Sequence, residues 1–403
     1  MSLATQTDDA ASARRDAGET VLADVRALAD QLKPRSAEFE AARRMAPDVV
    51  EQLKEIGVFR MYAPRSYGGL ELDFPMTLEI MTALARIDGS VGWVAMIGAG
   101  SVPFLSRLPR ASFDTHYERF GPDLIVAGSA APSGRAEQVP GGYRVSGRWP
   151  FASGCQHADV IFSGVVVTKD GSPVPGRLPG LPMIRHIVLP AGDWTIEDTW
   201  HVAGLKGTGS CHIRLNDHFV SDADILDFGG PTCLPGPLYA APLQLVPIMH
   251  GAPAIGLAEG AIDDVVALAS SGKTQWGMTT PMRDSQLFQA ELGRVEADVR
   301  AARALQESCI ARVWSRLLAG DLGPPSERAE AAQASAWVTT TCVKAGDALY
   351  ALGGGSALYE ESPLQRRLRD LHAAAQHAAV QPRHYATAGA VRLGHPPPSS
   401  PFG

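Results

Sequence analysis

Near its C-terminus the chain contains Arg369-Asp370-Leu371-His372-Ala373-Ala374-Ala375-Gln376-His377-Ala378-Ala379-Val380, a stretch that follows the glycine run Gly353-Gly354-Gly355. No acidic residue follows Asp370 within this stretch, whereas histidines occur at 372 and 377. An imidazole titrates near neutrality, so it suits proton transfer with a phenol or another weakly acidic group better than with a carbon acid. The stretch therefore supplies candidates for proton transfer.

The apolar pattern upstream of this stretch changes period twice. Apolar residues recur at spacings of three and four over residues 19–120, which predicts helices, and Pro47 and Gly57 stand where one helix should start and stop. Short β-rich runs between Gly, Pro and Asp then predict a sheet domain. Helical periodicity returns after residue 238, and four antiparallel helices explain it economically. The strand runs are 160–167, 184–189 and 212–220, and the later helices are 243–268, 285–318, 327–352 and 363–393.

Composition excludes several classes of protein. With 403 residues, 45% of them hydrophobic, the chain can bury a large core, and a net charge of -7 offers no basic surface for nucleic acid or an anionic membrane. The five cysteines are widely spaced and form no C-x-x-C pair, which argues against disulfides and a zinc site and favours the cytoplasm. Residues 1–16 lack an apolar segment typical of a secretory signal. The apolar stretch 238–262 is interrupted by polar residues and prolines, so we expect a buried helix and no membrane association.

Together with three other segments, the C-terminal stretch resembles the acyl-CoA dehydrogenase superfamily. The resemblance covers residues 21–393 and implies an N-terminal α-helical domain (17–122), a central β-sandwich or barrel domain (123–236), a C-terminal four-helix bundle (237–394) and a flexible tail (395–403). In the dehydrogenases the C-terminal stretch carries a catalytic Glu, whereas here a His stands next to that place. The segments are Gly142-Tyr143-Arg144-Val145-Ser146-Gly147-Arg148-Trp149-Pro150-Phe151-Ala152-Ser153-Gly154, Gly204-Leu205-Lys206-Gly207-Thr208-Gly209-Ser210 and Pro363-Leu364-Gln365-Arg366.

The His favours the flavin-dependent (group D, two-component) monooxygenase branch, which includes 4-hydroxyphenylacetate hydroxylase and 3-HSA hydroxylase. This resemblance implies hydroxylation of an aromatic, phenolic small molecule by O2 and reduced FMN or FAD, through a C4a-hydroperoxide. A separate NAD(P)H:flavin reductase would supply the reduced flavin. By the same resemblance His377 would deprotonate the substrate hydroxyl, and Ser153 would hydrogen-bond the peroxide or the flavin N5.

Further site residues follow from the same resemblance. Trp149, Phe151 and Ser153 would line the flavin along a strand, and Ser129 would lie near it, although alternating aromatic residues usually pack in a core. Arg283 and the loop Gly353, Gly354 and Gly355 would complete the flavin site of a neighbouring subunit, which predicts a homotetramer. The glycines equally suit a helix stop, and a lone Arg is more often simply solvated.

Trp93 and Met96 are candidates for the substrate pocket, because relatives build it from the region of this small-residue helix. Close helix packing explains the small residues equally well. Neither glycine-rich segment has the spacing of a dinucleotide-binding motif. On a continuous helix His372 and His377 would point about 140° apart, and His377 and His384 would lie about 10 Å apart along the axis, so we expect no metal site.

Three alternatives remain open from the sequence. An N-hydroxylase, an indole oxygenase or a sulfur oxygenase of the same branch would carry the same flavin elements. An acyl-CoA dehydrogenase-type enzyme is disfavoured because the Glu is missing. A non-catalytic flavin-binding protein would bind reduced flavin without forming an oxygenated product.

Overall fold

The computed structural model describes residues 3–274, 277 and 279–396, with side chains from residue 12 onward. Its first part is helical, as the period of three and four predicts. The helix at Pro47 and the left-handed Gly57 after it confirm the predicted start and stop. The helices are α1 (Leu3–Ala27), α2 (Ala29–Leu32), α3 (Ser36–Ala42), α4 (Pro47–Glu55), α5 (Phe74–Ile87), α6 (Gly89–Gly100), α7 (Val102–Leu105) and α8 (Arg110–Phe120).

The middle part is a β domain whose strands lie in one hydrogen-bonded sheet. The sheet order is β6-β7-β2-β1-β3-β5-β8, with β4 paired to β3. All three predicted strand runs are present, as β3, β5 and β7. The strands are β1 (Val126–Val139), β2 (Gly142–Trp149), β3 (Val160–Lys169), β4 (Ser172–Pro173), β5 (Ile184–Pro190), β6 (Thr195–Glu197), β7 (His212–Ser221) and β8 (Ile225–Leu226).

The C-terminal part is a helical bundle. Its helices bury a continuous apolar core, and α10 also packs against α5 of the N-terminal part. Within the described residues, α10 alone is long and apolar enough to span a membrane, but 83% of its apolar window is buried inside the protein. The helices are α9 (Pro237–Ala240), α10 (Pro242–Ser270), α11 (Gln286–Leu318), α12 (Pro325–Gly353), α13 (Pro363–Ala374) and α14 (Arg383–Arg392).

The predicted order of N-terminal helices, a central β domain and a C-terminal helical bundle is confirmed. The predicted tail at 395–403 lies outside the described residues from 397 onward.

Helix α6 runs through the centre of the molecule and is buried along most of its length. The carboxylate of Asp88 accepts the backbone N–H groups of Ser90 and Val91 at 2.9 and 3.0 Å, which satisfies donors that the first turn leaves free. A Cβ at Gly92 would stand 2.6 Å from the backbone of Ala85. The small residues thus permit close packing of α6 on α5, as the simpler interpretation of the sequence predicts.

Helix α13 is fixed at two points by buried charged side chains. Arg367 donates to the carbonyls of Ala85 and Arg86 at 3.0 and 2.7 Å, at the end of α5. Asp370 accepts the backbone N–H of Leu205 at 2.6 Å, so it ties the bundle to a loop of the β domain. Both side chains are buried. These hydrogen bonds therefore fix the position of the C-terminal stretch relative to the β domain and α5.

Asp370 gives folding a defined dependence on pH. Burial, reinforced by repulsion from Asp88, raises the pKa of Asp370 to about 7. A carboxyl whose folded pKa lies above its unfolded value stabilises the fold fully below about pH 4, and this contribution is lost as pH rises to about 7. Asparagine keeps the acceptor for Leu205 but does not titrate.

We therefore compare the unfolding free energy of Asp370→Asn with that of the wild type. As pH rises from 5 to 8, the difference should move in favour of the variant by on the order of 2 kcal/mol. Urea unfolding at several pH values measures this difference. The exposed Asp30→Asn variant is the control and should show no such gain. A difference between Asp370→Asn and wild type that stays constant with pH would show that Asp370 does not titrate as described.

Candidate functional site

The predicted fourth bundle helix is interrupted at the residue of most interest. The prediction of one continuous helix over 363–393 was wrong. Helix α13 ends at Ala374, a 3-10 turn covers Ala378–Val380, and α14 begins at Arg383. Pro382 disfavours helical backbone at the residue before it, which explains part of the break. His377 lies in the break with extended backbone (φ -65°, ψ 138°). The helical spacing argument for the histidines therefore does not apply.

The break turns the His377 ring into an aromatic cluster with residues of two other helices. The ring stacks on that of His250 from α10, with centroids 3.9 Å apart and planes at 16°. Trp93 of α6 meets both rings edge-on, at 5.4 Å from His250 and 5.7 Å from His377. Three separate helical segments thus converge on one point. Two of these residues, Trp93 and His377, were predicted site residues.

Burial keeps both imidazoles neutral at physiological pH. Loss of solvation lowers the pKa of His250 to about 4. It also holds the pKa of His377 well below its ordinary value, and repulsion from His250 and Arg383 adds to this effect. His250 Nδ1 lies 2.7 Å from the Val246 carbonyl, so it carries the proton and donates. The N–H of Ala379 donates to His377 Nδ1 at 3.2 Å, so neutral His377 carries its proton on Nε2 in this arrangement.

Ser153 lies in a turn beyond the end of β2. The predicted alternation of Trp149, Phe151 and Ser153 along a strand was wrong, since β2 ends at Trp149 and Phe151 adopts a left-handed conformation (φ 65°). This turn is held by the N–H of Gly154, which donates to the Thr208 carbonyl at 2.9 Å. It places the buried hydroxyl of Ser153 at the aromatic cluster, where the indole N–H of Trp93 donates to Ser153 Oγ at 3.2 Å.

A chain of buried hydroxyl groups continues from Ser153 into the β domain. Ser153 Oγ lies 2.7 Å from Ser210 Oγ, which lies 2.7 Å from Thr208 Oγ1. Thr208 Oγ1 donates to the carbonyl of Leu205 at 2.8 Å. The backbone N–H of Leu205 in turn bonds Asp370. The hydroxyl chain thus connects the C-terminal stretch with the aromatic cluster.

The aromatic residues of the turn differ sharply in exposure. Trp149 is fully buried in the core of the β domain, where its indole N–H donates to the Gly164 carbonyl at 2.6 Å and its ring meets Trp194. The structure therefore gives Trp149 no surface with which to contact a cofactor. Phe151 is 65% exposed beside Trp200. A large side chain in a left-handed conformation is strained, and such strain often marks a ligand site.

The remaining predicted residues lie in three places. Ser129 lies on β1, partly exposed, just before an irregularity in the pairing of β1 with β3. Met96 is buried on α6. Arg283 is exposed and pairs with Asp284 at 3.6 Å, whereas Gly353 ends α12 and Gly354 and Gly355 begin the 3-10 turn after it. The contacts of Arg283 and of the glycines lie within the C-terminal bundle.

His250, Ser210 and Thr208 were not predicted as site residues. Ser210 and Thr208 belong to the glycine-rich segment that carries part of the resemblance, so their position could have been suspected. His250 could not, because it is one of several polar residues in the largely apolar α10, and only its stack with His377 distinguishes it. His372 lies on the surface, with Nε2 2.9 Å from Asp347. No group of three or more metal-ligating side chains occurs within the described part of the chain.

The residues around Ser153 fit a planar aromatic cofactor with a polar edge. Phe151 offers an exposed aromatic ring, and Ser153 offers a buried oxygen only two residues away. Ser153 Oγ has bonds to Trp93 and Ser210, which leaves either one lone pair or its hydrogen for a further hydrogen bond. A flavin presents this combination of a flat ring and a nitrogen at its edge.

Comparison with known proteins identifies the family. Residues 16–108 match the acyl-CoA dehydrogenase N-terminal domain, and residues 248–382 match its C-terminal domain. The chain is 32% identical to indole-3-acetate monooxygenase of Pseudomonas putida, over 92% of this chain and 93% of that protein. It is 31% identical to the flavin-dependent monooxygenase oxygenase subunit HsaA of Mycobacterium tuberculosis, over 95% and 98%.

A solved structure agrees with these relatives. XiaF of Streptomyces, in complex with FADH2 and glycerol, superposes with a TM-score of 0.89 at 26% identity, covering 98% of this chain and 99% of that one. The chain belongs to the flavin-dependent monooxygenases of the acyl-CoA dehydrogenase superfamily.

Proposed function

We propose that this monooxygenase hydroxylates an aromatic, phenolic small molecule, using O2 and reduced FMN or FAD supplied by a separate NAD(P)H:flavin reductase. The observation that carries the proposal is the arrangement around Trp93. The hydroxyl of Ser153 bonds the Trp93 indole, and the imidazole of His377 lies against the ring of the same residue. The oxygen proposed to contact the flavin and the imidazole proposed to accept the substrate proton therefore both contact Trp93.

Two related enzymes support the choice of an aromatic substrate. One is named for indole-3-acetate, and the other is the oxygenase component of a resorcinol hydroxylase of Rhizobium, 30% identical over 88% of this chain. An indole is therefore the second candidate substrate. Residues 369–380 contain no Glu, so the chain lacks the base that the dehydrogenases use there.

The residues of the site have separate tasks in this proposal. Reduced flavin, when bound, would supply the two electrons that activate O2 for transfer of one of its oxygen atoms. Ser153 would fix the polar edge of the flavin, and Phe151 would pack on its ring. The buried cluster of Trp93, His250 and His377 would exclude water from the place where the oxygen atom is transferred. His377 would take the proton of the substrate hydroxyl, so that the ring becomes electron-rich.

Proton acceptance by His377 has a cost that can be compared with its benefit. To accept at Nε2, the neutral ring must carry its own proton on Nδ1 and give up the bond from the Ala379 N–H. One neutral hydrogen bond contributes about 1 kcal/mol net. General base catalysis contributes about 100-fold to 10,000-fold, or roughly 3 to 5 kcal/mol. The benefit exceeds the cost of this one hydrogen bond, to which burial adds the cost of charging the ring.

Whether the chain takes its electrons from NADH or from reduced flavin tests the proposed function directly. We expect the purified chain to carry little oxidised flavin, to leave NADH unoxidised, and to consume O2 only when chemically reduced FMN or FAD is supplied. An oxygen electrode and the absorbance of NADH measure both quantities. A panel containing phenols and indole-3-acetate, analysed by mass spectrometry, then identifies the substrate class. Steady oxidation of NADH by the isolated chain would contradict the proposal.

Substitution of His377 should separate oxygen consumption from product formation. We expect His377→Ala to lower product formation about 100-fold to 10,000-fold while reduced flavin still reacts with O2, so that hydrogen peroxide accumulates. The defect should shrink at high pH, where a phenol with a pKa near 10 ionises unaided.

A second substitution at the same position separates acceptance of a proton from donation of a hydrogen bond. His377→Gln keeps a donor near Nε2 but cannot act as a base, so it should be as defective as His377→Ala. His372→Gln, on the surface of the same segment, is the matched control and should remain coupled. Normal coupling in His377→Gln would show that the residue serves as a donor and would refute its role as base.

We also propose a homotetramer in which Arg283 and Gly353 to Gly355 complete the flavin site of a neighbouring subunit. Exposed apolar side chains support this assembly, because they lie beside the proposed residues: Leu287 is 81% exposed at the start of α11, and Leu358 is 71% exposed after the glycines. Light scattering at micromolar concentration should therefore give the mass of a tetramer, or at least of a dimer. A monomer with full flavin affinity would contradict the shared site.

A further inference from the structure

The hydroxyl chain between Ser153 and Leu205 has a direction that its end groups determine. A hydroxyl has one hydrogen to donate and two lone pairs that accept. The indole N–H of Trp93 can only donate, and the carbonyl of Leu205 can only accept. Ser153, Ser210 and Thr208 lie between these two ends, and distances of 2.7 to 3.2 Å join each to the next.

The bond that Thr208 donates to the Leu205 carbonyl determines the donor in each of the other hydroxyl bonds. Thr208 uses its hydrogen on the Leu205 carbonyl, so Ser210 must donate in its bond with Thr208. The hydrogen of Ser210 is then committed, so Ser153 must donate in its bond with Ser210. Ser153 also accepts from Trp93. After these bonds Ser153 has one lone pair left and no hydrogen to donate.

The Leu205 end of the chain resists reversal. Its carbonyl also accepts the indole N–H of Trp200 at 3.0 Å, and its own N–H is held by Asp370 at 2.6 Å. Thr208 and Ser210 are both buried, at 1% and 3% exposure. The Leu205 carbonyl also accepts the Thr208 N–H at 3.1 Å, and turning the Thr208 hydroxyl toward Ser210 would give up the bond between that hydroxyl and the carbonyl, which contributes about 1 kcal/mol.

We infer that Ser210 and Thr208 are positioning residues that select the redox state of the flavin. Resting on the proposed function, in which the polar edge of the flavin faces Ser153, and with N5 as the atom at that edge, they favour Ser153 as an acceptor. Reduced flavin carries a hydrogen on N5 and can donate to Ser153. Oxidised flavin has a lone pair on N5, so it would face another lone pair and gain no bond. The chain thus favours the reduced cofactor.

Removing either positioning hydroxyl releases the hydrogen of Ser153. In Thr208→Val the Ser210 hydroxyl is free to donate to Ser153, whose own hydrogen then turns toward the flavin. In Ser210→Ala the Ser153 hydrogen loses its partner and turns in the same direction. Either variant should therefore bind oxidised flavin better relative to reduced flavin. We expect the ratio of the two affinities to change about tenfold, which is roughly 30 mV in the two-electron potential of the bound flavin.

The experiment measures binding of both flavin states to the full-length protein without substrate or turnover. Oxidised FAD or FMN is titrated by fluorescence quenching, and dithionite-reduced flavin is titrated anaerobically by equilibrium dialysis. Thr208→Ser keeps the hydroxyl and should restore the wild-type ratio. Thr82→Val removes a buried hydroxyl that bonds the Leu78 carbonyl elsewhere in the fold, and it controls for loss of packing alone.

Each outcome has one meaning. A lowered preference for reduced flavin in Thr208→Val and Ser210→Ala, with recovery in Thr208→Ser, supports the inference. If all folded variants show the wild-type ratio of affinities for reduced and oxidised flavin, the inference is overturned. The proposed function then remains intact, because flavin still binds. Failure of the wild type to bind either flavin state overturns the proposed function and this inference together. If Thr208→Val does not fold, Ser210→Ala alone provides the comparison.

Discussion

A buried hydroxyl has a single hydrogen to donate, and this limit connects the fold of the monooxygenase to its site. Asp370 holds Leu205, Leu205 orients Thr208, and the orientation passes through Ser210 to Ser153. Each step is a short bond in the protein interior, where an unpaired polar group is expensive. The packing of α13 against the β domain therefore determines which way a hydroxyl points some distance away.

Exclusion of water acts on the site in two ways. It lowers the pKa of both His250 and His377, so the rings that stack at 3.9 Å do not repel one another as cations. It also strengthens the polar contacts that remain, because the interior screens charges less than water does. The same burial makes His377 a weak base.

Periodicity was sufficient to predict the elements of the fold, because burial of one face leaves a regular pattern. Strand β7 and helix α4 follow this rule, whereas β3, β5 and α10 are buried on nearly all sides and stand out as apolar runs. The break after Ala374 was missed, because an alanine-rich segment favours helix and the break depends on Pro382 and on the side chain of His377 capping Ala379. The sequence around Ala374 alone does not show whether the helix propensity of the alanines or these two effects will prevail.

The candidate site was partly predictable for a related reason. Ser153, His377 and Trp93 were found through the resemblance, and the structure brings them together. Trp149 shows the limit of the approach, since alternation cannot tell which face of a strand meets the core. His250 shows another, because a stacking partner from α10 is a long-range contact that no local pattern records.

The most direct test of the account is the origin of the oxygen atom in the product. The protein, chemically reduced flavin and the substrate found in the panel would react under 18O2, and mass spectrometry would follow the product. A flavin-dependent monooxygenase inserts one labelled oxygen atom into the aromatic product. A product without label, or one labelled only when 18O is supplied as water, would contradict the account.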